Sequence, residues 1–330
     1  MKAAYIKRTG PPEVIEYGDI PVTKPLDGQV LVKVYAVSVN PIDTYIRSGL
    51  VPMNIPFPYI IGCDLAGIVE EVGAGVKKFK KGDRVWGSNQ GLLGRQGTFA
   101  EYATVNEEWL YPLPDSVSYE DAAAIALVGI TAHLGLFRDA QIKQGETIFV
   151  NGGSGAVGSV VIQMAKIAGA TVLASAGSEE KMEICKKLGA DFVFNYKKND
   201  LTSEVKKIFP KGVNIWWETS REPDFDKIIP SLSQRGRIVI MAGREARPQF
   251  PVGPFYVKDC KMYGFAMFNA TPEEQSVCAK DINKWLSENK LKPLIDRVLP
   301  LSEAALAHKL QEENTLGKIG ILKGKIVLVP

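Results

Sequence analysis

A glycine-rich segment near the middle of the chain has the residue types and the spacing that bind phosphate groups. It reads Gly153-Ser154-Gly155-Ala156-Val157-Gly158 and follows the apolar run at 147–150. In such a segment the first glycine makes a tight turn, the second lets backbone N–H groups approach a pyrophosphate, and the third lets a helix pack on the sheet. The positive end of that helix faces the anion. The segment predicts a dinucleotide-binding loop; the alternative is a glycine-rich turn without a ligand.

The sequence around this loop has the required context. Residues 156–168 have a helical pattern and 169–174 the pattern of a strand, which completes a βαβ unit. Further strands are predicted at 192–195, 213–217, 237–241 and 261–265, with helical segments between them. This alternation predicts an α/β fold with a doubly wound parallel sheet, the Rossmann arrangement.

The beginning of the chain has a different pattern. Short β-rich runs at 29–39, 66–72 and 99–105 are separated by glycine and proline, and the tail returns to helices at 272–288 and 301–314 and a strand at 324–329. We therefore predict a mostly-β catalytic domain from 1–121 and 266–330. The nucleotide-binding domain, 122–265, is inserted between them, and we expect the substrate cleft where the two domains meet.

Composition excludes several other classes of protein. The net charge is +3 without a basic arm, so nucleic acid is an unlikely partner, and no apolar run of membrane-spanning length or signal peptide is evident. The four cysteines form no C-x-x-C pair, which favours reduced thiols. His133 lies in an apolar helical pattern and is expected to pack there. These features predict a cytoplasmic protein.

Several motifs resemble one known family. They are Asn40-Pro41-Ile42-Asp43-Thr44-Tyr45-Ile46-Arg47-Ser48-Gly49, Gly62-Cys63-Asp64-Leu65-Ala66-Gly67, and Lys81-Gly82-Asp83-Arg84-Val85. Together they resemble the medium-chain dehydrogenase/reductase superfamily, and the first is similar to its zinc-free quinone oxidoreductase branch, which includes zeta-crystallin. The resemblance covers essentially the whole chain. It implies a GroES-like catalytic domain, a Rossmann domain, NADPH as cofactor, and a homodimer formed through the Rossmann domains.

The resemblance also bears on metal binding. In the zinc alcohol dehydrogenases of this superfamily, a cysteine and a histidine stand where this chain has Asn40 and Cys63. The chain also lacks the four-cysteine lobe of those enzymes between residues 87 and 98. One thiol without further ligands is not a catalytic zinc site. We therefore expect no metal, and we expect Cys63 to be a small buried side chain.

The end of the second Rossmann strand decides between the two nicotinamide cofactors. An NAD-specific site has a carboxylate there, whereas this chain has Ala174 to Ser178. Lys181 and Ser178 can bind a 2′-phosphate, and Tyr196 can pack against the adenosine. The resemblance supports these three roles. A solvated lysine and a packing tyrosine remain the alternatives.

Other candidate cofactor residues follow from the resemblance and from the carboxyl ends of the predicted strands. Thr131 matches a family threonine near the nicotinamide. The complete predicted set is Asn40, Thr131, Gly153, Ser154, Gly155, Ala156, Val157, Gly158, Ser178, Lys181, Tyr196, Thr219, Met241, Ala242, Gly243, Phe265, Ala266 and Met267.

The cofactor would carry the chemistry, and the chain would orient a small-molecule electron acceptor. We predict that Asn40 donates a hydrogen bond to a carbonyl or carboxamide and that Tyr45 donates a proton. The alternative makes Asn40 a turn residue before Pro41 and Tyr45 a pocket wall. The predicted pocket is lined by Tyr45, Val51, Thr131 and Phe265. Asp43 and Arg47 are expected to form an ion pair or a helix cap.

These features predict an NADPH-dependent reductase of quinones or related enones. Two departures from the family pattern weaken the quinone assignment: Val51 replaces a second tyrosine, and Glu218 to Arg221 replaces an Asp-x-x-Gly turn. If Arg244 and Arg247 face the cleft instead of solvent, they favour an acidic substrate such as an enoyl thioester or an acrylate. A non-catalytic NADPH-binding protein, crystallin-like or RNA-binding, is a further alternative.

Overall fold

The computed structural model describes residues 1–330, which form two compact units. The first unit comprises Met1–Ile130 and Ala270–Pro330, and the second comprises Thr131–Asn269. The boundaries predicted from the sequence lie a few residues earlier in both places. The first boundary falls inside one continuous helix, Tyr119–His133, so no break in pattern marks it in the sequence.

The chain has sixteen β-strands and nine α-helices. The strands are β1 (Lys2–Ile6), β2 (Glu16–Asp19), β3 (Gln29–Ser38), β4 (Tyr59–Ile60), β5 (Leu65–Val72), β6 (Arg84–Gly87), β7 (Tyr102–Asn106), β8 (Leu110–Pro112), β9 (Thr147–Val150), β10 (Thr171–Ala176), β11 (Phe192–Asn195), β12 (Val213–Glu218), β13 (Leu232–Ile240), β14 (Lys261–Gly264), β15 (Ile295–Pro300) and β16 (Lys325–Val329). The helices are α1 (Pro41–Ser48), α2 (Tyr119–His133), α3 (Ala156–Ile167), α4 (Glu179–Lys187), α5 (Leu201–Ile208), α6 (Phe225–Ser231), α7 (Val252–Val257), α8 (Pro272–Ser287) and α9 (Ala304–Thr315).

The first unit is built on a mostly antiparallel sheet. Its strand order is β15-β16-β3-β5-β6-β8, with β7 also paired to β3, while β2-β1-β4 form a smaller sheet. Strand β3 alternates between buried Val32 and Val34 and exposed Lys33, as a strand with one face on a core requires. The tail of the chain completes this unit, because β16 pairs with the end of β3. The predicted return of the tail to the N-terminal domain is confirmed.

The second unit is a six-stranded sheet in the order β11-β10-β9-β12-β13-β14, with every neighbouring pair parallel. This is the doubly wound order of the Rossmann fold, so the predicted fold class is confirmed. Strands β9 and β11 have the predicted bounds. Strand β13 begins earlier than predicted, at Leu232, where its register with β12 shifts. Packed aromatic rings fill the core; the ring centroids of Phe149 and Trp216, for example, are 4.2 Å apart.

One helix corrects an expectation about membranes. Helix α2 continues into a π-helical turn, Leu134–Asp139, and the combined helix is long and apolar enough to cross a membrane by length and composition. However, 78% of its most apolar window is buried inside the fold, which is typical of a core helix.

A buried histidine in the first unit gives the fold a pH-dependent element. His308 on α9 has no exposed surface, and neither ring nitrogen has a hydrogen-bond partner. Its ring packs edge-on against Phe99, with centroids 5.9 Å apart. Burial lowers the pKa of His308 to about 3, and the charge of Arg47 acts in the same direction.

We therefore expect His308 to make the fold acid-sensitive. The unfolded chain binds the histidine proton near pH 6.5 and the folded chain only near pH 3, so the stabilisation is complete above pH 6.5 and is lost as the pH falls towards 3. At pH 5 the loss is about 2 kcal/mol of unfolding free energy. Urea unfolding of the wild type and His308→Gln at pH 7.5 and pH 5 measures it. Equal pH dependence in the two proteins would contradict this assignment.

Candidate active site

The glycine-rich segment lies between β9 and α3 and is packed too tightly for a side chain at Gly153 and Gly158. A Cβ on Gly153 would lie 2.8 Å from the Ala174 Cβ, and a Cβ on Gly158 would lie 2.3 Å from the Gly152 carbonyl oxygen. The tight turn is made one residue earlier than predicted, at Gly152, whose φ is +77°. Gly155 precedes the first turn of α3, whose first N–H groups have no acceptor within the helix. The geometry fits a pyrophosphate at this helix end.

Hydrogen bonds from the ends of three adjacent strands hold this loop. The Gly153 N–H donates to the Ser175 carbonyl (2.9 Å), and the Gly152 N–H donates to the Ser175 hydroxyl (3.0 Å). The Ser175 hydroxyl in turn donates to the Asn151 side-chain oxygen (2.7 Å). Thr219, a predicted cofactor residue, donates its hydroxyl to the Asn151 carbonyl (2.5 Å). Thr219 therefore supports the loop directly.

A buried carboxylate completes this support. Glu218, at the end of β12, accepts hydrogen bonds from the Asn151 side chain (2.7 Å), the Trp216 indole (3.0 Å) and the Ser220 N–H (2.6 Å). Burial raises the pKa of the Glu218 carboxyl, and these bonds oppose the rise. The sequence presented Glu218 only as a departure from a family turn. Its position at the end of a strand adjacent to β9 was the signal that could have found it.

The residues predicted to select NADPH lie together beside the ends of β10 and β11. The Tyr196 N–H donates to the Ala176 carbonyl (3.2 Å), and a Cβ on Gly177 would lie 2.5 Å from the Tyr196 hydroxyl. Ser178 caps α4, because its hydroxyl accepts from the Lys181 N–H (3.3 Å). The structure thus brings Ser178, Lys181 and Tyr196 to one edge of the sheet.

This edge also contains two carboxylates. Glu179 and Glu180 occupy the exposed first turn of α4. Lys198 forms an ion pair with Glu179 (2.9 Å), which offsets one negative charge near the predicted phosphate position. Lys198 follows Tyr196 by two residues, so it joins Lys181 as a second cation at this edge.

The remaining predicted cofactor residues of the second unit follow β13 and β14 or lie on α2. Met241, Ala242 and Gly243 follow β13, and Phe265, Ala266 and Met267 follow β14. Thr131 is nearly buried on α2. The Phe265 ring lies 5.5 Å from the Arg138 guanidinium.

Gly135 in the π-helical turn makes room for this ring. A Cβ on Gly135 would lie 2.4 Å from the Trp217 ring and 3.0 Å from Phe265. Arg244 and Arg247 are exposed in the loop after β13, and their orientation towards the acceptor stays a prediction.

In the first unit, α1 carries the predicted acceptor-binding residues. Tyr45 is half-buried, and its carbonyl accepts from the Val51 N–H (3.1 Å), so these two predicted pocket residues are neighbours. Asp43 caps α1 as expected, because it accepts from the Asn40 N–H (2.8 Å). Arg47 does not pair with Asp43; it forms an ion pair with Glu312 of α9. The predicted pocket also includes Thr131 and Phe265 of the second unit and stays a prediction.

Asn40 is fully buried and bonded within its own unit. Its amide nitrogen donates to Asp64 (2.7 Å) and to the Ser38 carbonyl (3.4 Å), and its amide oxygen accepts from the Lys325 ammonium. This arrangement agrees with the alternative role of Asn40 in the turn before α1. Direct donation from Asn40 to a substrate or cofactor stays a prediction and requires the bond to Ser38 to break.

The two positions compared with zinc ligands lie in this buried region. Cys63 is fully buried beside Asp43, and burial raises the pKa of its thiol well above the usual range. Burial also raises the pKa of Asp43 to about 7, although its hydrogen bond with Cys63 acts to lower that pKa. No group of three or more His, Cys, Asp or Glu side chains is placed to hold a metal ion.

Two family models match the chain. The model for the alcohol dehydrogenase GroES-like domain matches residues 26–115, and the model for zinc-binding dehydrogenases matches residues 156–283. The chain is 36% identical to quinone oxidoreductase of Sus scrofa over 98% of both chains. It belongs to the quinone oxidoreductase family of medium-chain dehydrogenase/reductases. The family resemblance inferred from the motifs at Asn40 and Gly62 is confirmed.

Other relatives and solved structures agree on the class of reaction. The chain is 31% identical to the NADPH-dependent alkenal/one oxidoreductase of Arabidopsis thaliana, over all of this chain and 80% of that protein. Two structures match over their whole length: Escherichia coli quinone oxidoreductase complexed with NADPH (27% identity, TM-score 0.87) and an NAD-dependent alcohol dehydrogenase (31%, 0.90). The protein is therefore an oxidoreductase that uses a nicotinamide cofactor.

Proposed function

We propose that the protein is an NADPH-dependent reductase of quinones or related electron-poor enones that works without a metal. The observation that carries the cofactor assignment is the edge formed by Ser178, Lys181 and Tyr196, where β10 ends without a carboxylate. A 2′-phosphate fits this edge because Lys181 can donate to it and the Ser178 hydroxyl can form a hydrogen bond. The pairing of Glu179 with Lys198 reduces the repulsion of the phosphate.

The residues of the chain would divide the work as follows. Gly153, Gly155 and Gly158 admit the pyrophosphate to the start of α3. Bound NADPH supplies the reducing equivalents. Tyr45 donates a proton to the acceptor oxygen, and Val51 forms the wall beside it.

The metal-free assignment is supported by the electrostatics around Asn40. The Lys325 ammonium contacts the Asn40 amide oxygen and lies 3.9 Å from Asp64. The buried positive charge of Lys325 would repel a metal cation bound near Asn40. We therefore expect purified protein to contain no stoichiometric zinc.

A turnover assay tests the proposal. Purified protein is supplied with NADPH and a panel of quinones, enals, acrylates and enoyl thioesters, with and without a chelator. We expect NADPH oxidation with quinones or enones and no loss after chelation. One tightly held zinc per chain, with activity lost on its removal, would contradict the metal-free assignment. Turnover with none of the acceptors would contradict the proposed function.

The cofactor preference has its own test. We expect Lys181→Ala to lower the affinity for NADPH tenfold or more, because it removes a charge-assisted hydrogen bond that contributes about 1.5–3 kcal/mol. The affinity for NADH should change little, since NADH has no 2′-phosphate. Fluorescence titration with both cofactors measures this, and Lys187→Ala, an exposed lysine of the same helix, is the matched control. Equal affinity of the wild type for NADPH and NADH would refute the assignment.

A second candidate is the reduction of activated carbon–carbon double bonds. It is favoured by the likeness to the alkenal/one oxidoreductase and by Val51, which stands where a second tyrosine is usual in the quinone reductases the chain resembles. An acidic substrate stays an alternative that requires Arg244 or Arg247 to face the acceptor. The acceptor panel ranks these substrates directly.

We further propose that two copies of the chain associate through their Rossmann units. Strand β14 is an edge of the sheet, with Met262 44% exposed, and α7 before it presents Tyr256 at 66% and Val257 at 67% exposure. An exposed apolar edge strand is a pairing surface. Light scattering that gave the mass of one chain, 36.1 kDa, at micromolar concentration would contradict the dimer.

A further inference from the structure

The first unit encloses an ionic cluster formed by Asn40, Asp43, Asp64 and Lys325. All four side chains are buried, and they come from three separate parts of the sequence. Lys325 begins β16, Asp64 immediately precedes β5, and Asn40 and Asp43 begin α1. The pairing of β16 with the end of β3 brings Lys325 to this position, since the Val39 N–H donates to the Ile326 carbonyl (3.0 Å).

The hydrogen bonds of Asp64 are those of an ionised carboxylate. One oxygen accepts from the Ser38 hydroxyl (2.8 Å) and the Asn40 amide (2.7 Å), and the other accepts from the Ser88 hydroxyl (2.6 Å). A buried carboxylate needs a compensating positive charge. The Lys325 ammonium supplies it at 3.9 Å.

The Asn40 amide bridges the two charges. Its oxygen accepts from the ammonium, which only donates, and its nitrogen donates to the carboxylate, which only accepts. The charges therefore fix which way the amide faces. The ammonium also donates to the Val39 carbonyl (2.8 Å), so it holds the backbone immediately before Asn40.

This bridge controls the start of α1. The Asn40 N–H donates to Asp43, which closes the first turn of the helix, and Tyr45 lies on the next turn. We propose that Lys325 and Asp64 are positioning residues: their buried charges hold Asn40 and the first turn of α1, and thereby place Tyr45 for the acceptor. The part concerning Tyr45 rests on the proposed function.

The charge coupling is tested by a double-mutant cycle that needs no turnover. Lys325→Met leaves the buried Asp64 carboxylate uncompensated and should lower Tm by about 10 °C. Asp64→Asn should lower Tm by no more than this, because the Asp43 carboxyl, whose pKa is about 7, can ionise near the Lys325 ammonium. The double variant removes both charges and should recover at least about half of that loss. Lys2→Met, which breaks an exposed pair with Asp19 in the same unit, is the matched control and should change Tm little. Additive losses in the double variant would overturn the charge coupling.

The positioning role is tested in the double variant by separating chemistry from cofactor binding. We expect kcat about 10- to 100-fold lower, with the dissociation constant of NADPH within about twofold of wild type. Adding Tyr45→Phe should then lower kcat little further, because the double variant has already displaced the tyrosine. A merely structural role would reduce the amount of NADPH-binding protein instead. Unchanged kcat, or independent losses from Tyr45→Phe and the cluster, would overturn the positioning role. If even the wild type oxidises no NADPH, the Tm cycle still decides the charge coupling.

Discussion

Replacing Gly158 with alanine should weaken NADPH binding by about 10²-fold or more while the protein still folds. The added Cβ would lie 2.3 Å from the Gly152 carbonyl oxygen and 3.0 Å from the Gly153 Cα, both of which are backbone atoms of the loop itself. Either α3 or the loop must therefore move by close to an ångström. In a site whose groups must act together, we expect a displacement of that size to lower the affinity for the ligand by about 10²-fold or more. Fluorescence titration with NADPH measures the loss.

The control separates this effect from damage to the fold. Gly253→Ala places a methyl group where no other atom of the chain lies within 4 Å, so its NADPH affinity should match that of the wild type. Because Gly253 belongs to α7, light scattering of this variant checks that the association of two copies is unchanged. Alanine also favours the helix at position 158 by up to about 1 kcal/mol, which offsets part of the steric cost to stability. Wild-type NADPH affinity in Gly158→Ala would show that the tight packing of this loop is not needed for binding.

Replacing Tyr45 with phenylalanine should slow turnover without weakening NADPH binding. The substitution removes one hydroxyl and keeps the ring, so the packing of α1 is preserved. If the tyrosine donates a proton to the acceptor, kcat falls by up to about 10²-fold. The dissociation constant of NADPH should stay within about twofold, because the loop proposed to bind its phosphates belongs to the second unit. Steady-state kinetics measures kcat, and cofactor titration measures the dissociation constant of NADPH.

Two comparisons make this result specific. Tyr17→Phe changes an exposed tyrosine of β2 and should leave both constants unchanged. The pH dependence of kcat should also differ between wild type and Tyr45→Phe if the hydroxyl transfers the proton. Full activity in Tyr45→Phe would make this residue a pocket wall and leave solvent as the source of the proton.

Short-range patterns were enough to predict the Rossmann sheet and its loop. The apolar run at Thr147–Val150, the three glycines after it and the helical pattern from Ala156 are contiguous, and each follows from backbone sterics or side-chain periodicity. The absence of a carboxylate at the end of β10 could be inferred in the same local way. Two local details were wrong: β13 begins at Leu232, and the tight turn is made by Gly152 instead of Gly153, because two adjacent glycines satisfy the same pattern.

Only the tertiary structure decided how the two units use their buried polar residues. Asn40 had the sequence context of a substrate donor or of a turn residue, and its bond to Lys325, 285 residues away, shows how its amide is oriented. The role of Glu218 became evident only from the pairing of β9 with β12, which brings its carboxylate within hydrogen-bond distance of the Asn151 side chain. In both cases the partners are distant in sequence, and the energy of a buried charge depends on what surrounds it in space. Local sequence determined the elements and the cofactor loop, whereas the compensation of buried charge was decided by the packing of strands that meet only in the folded chain.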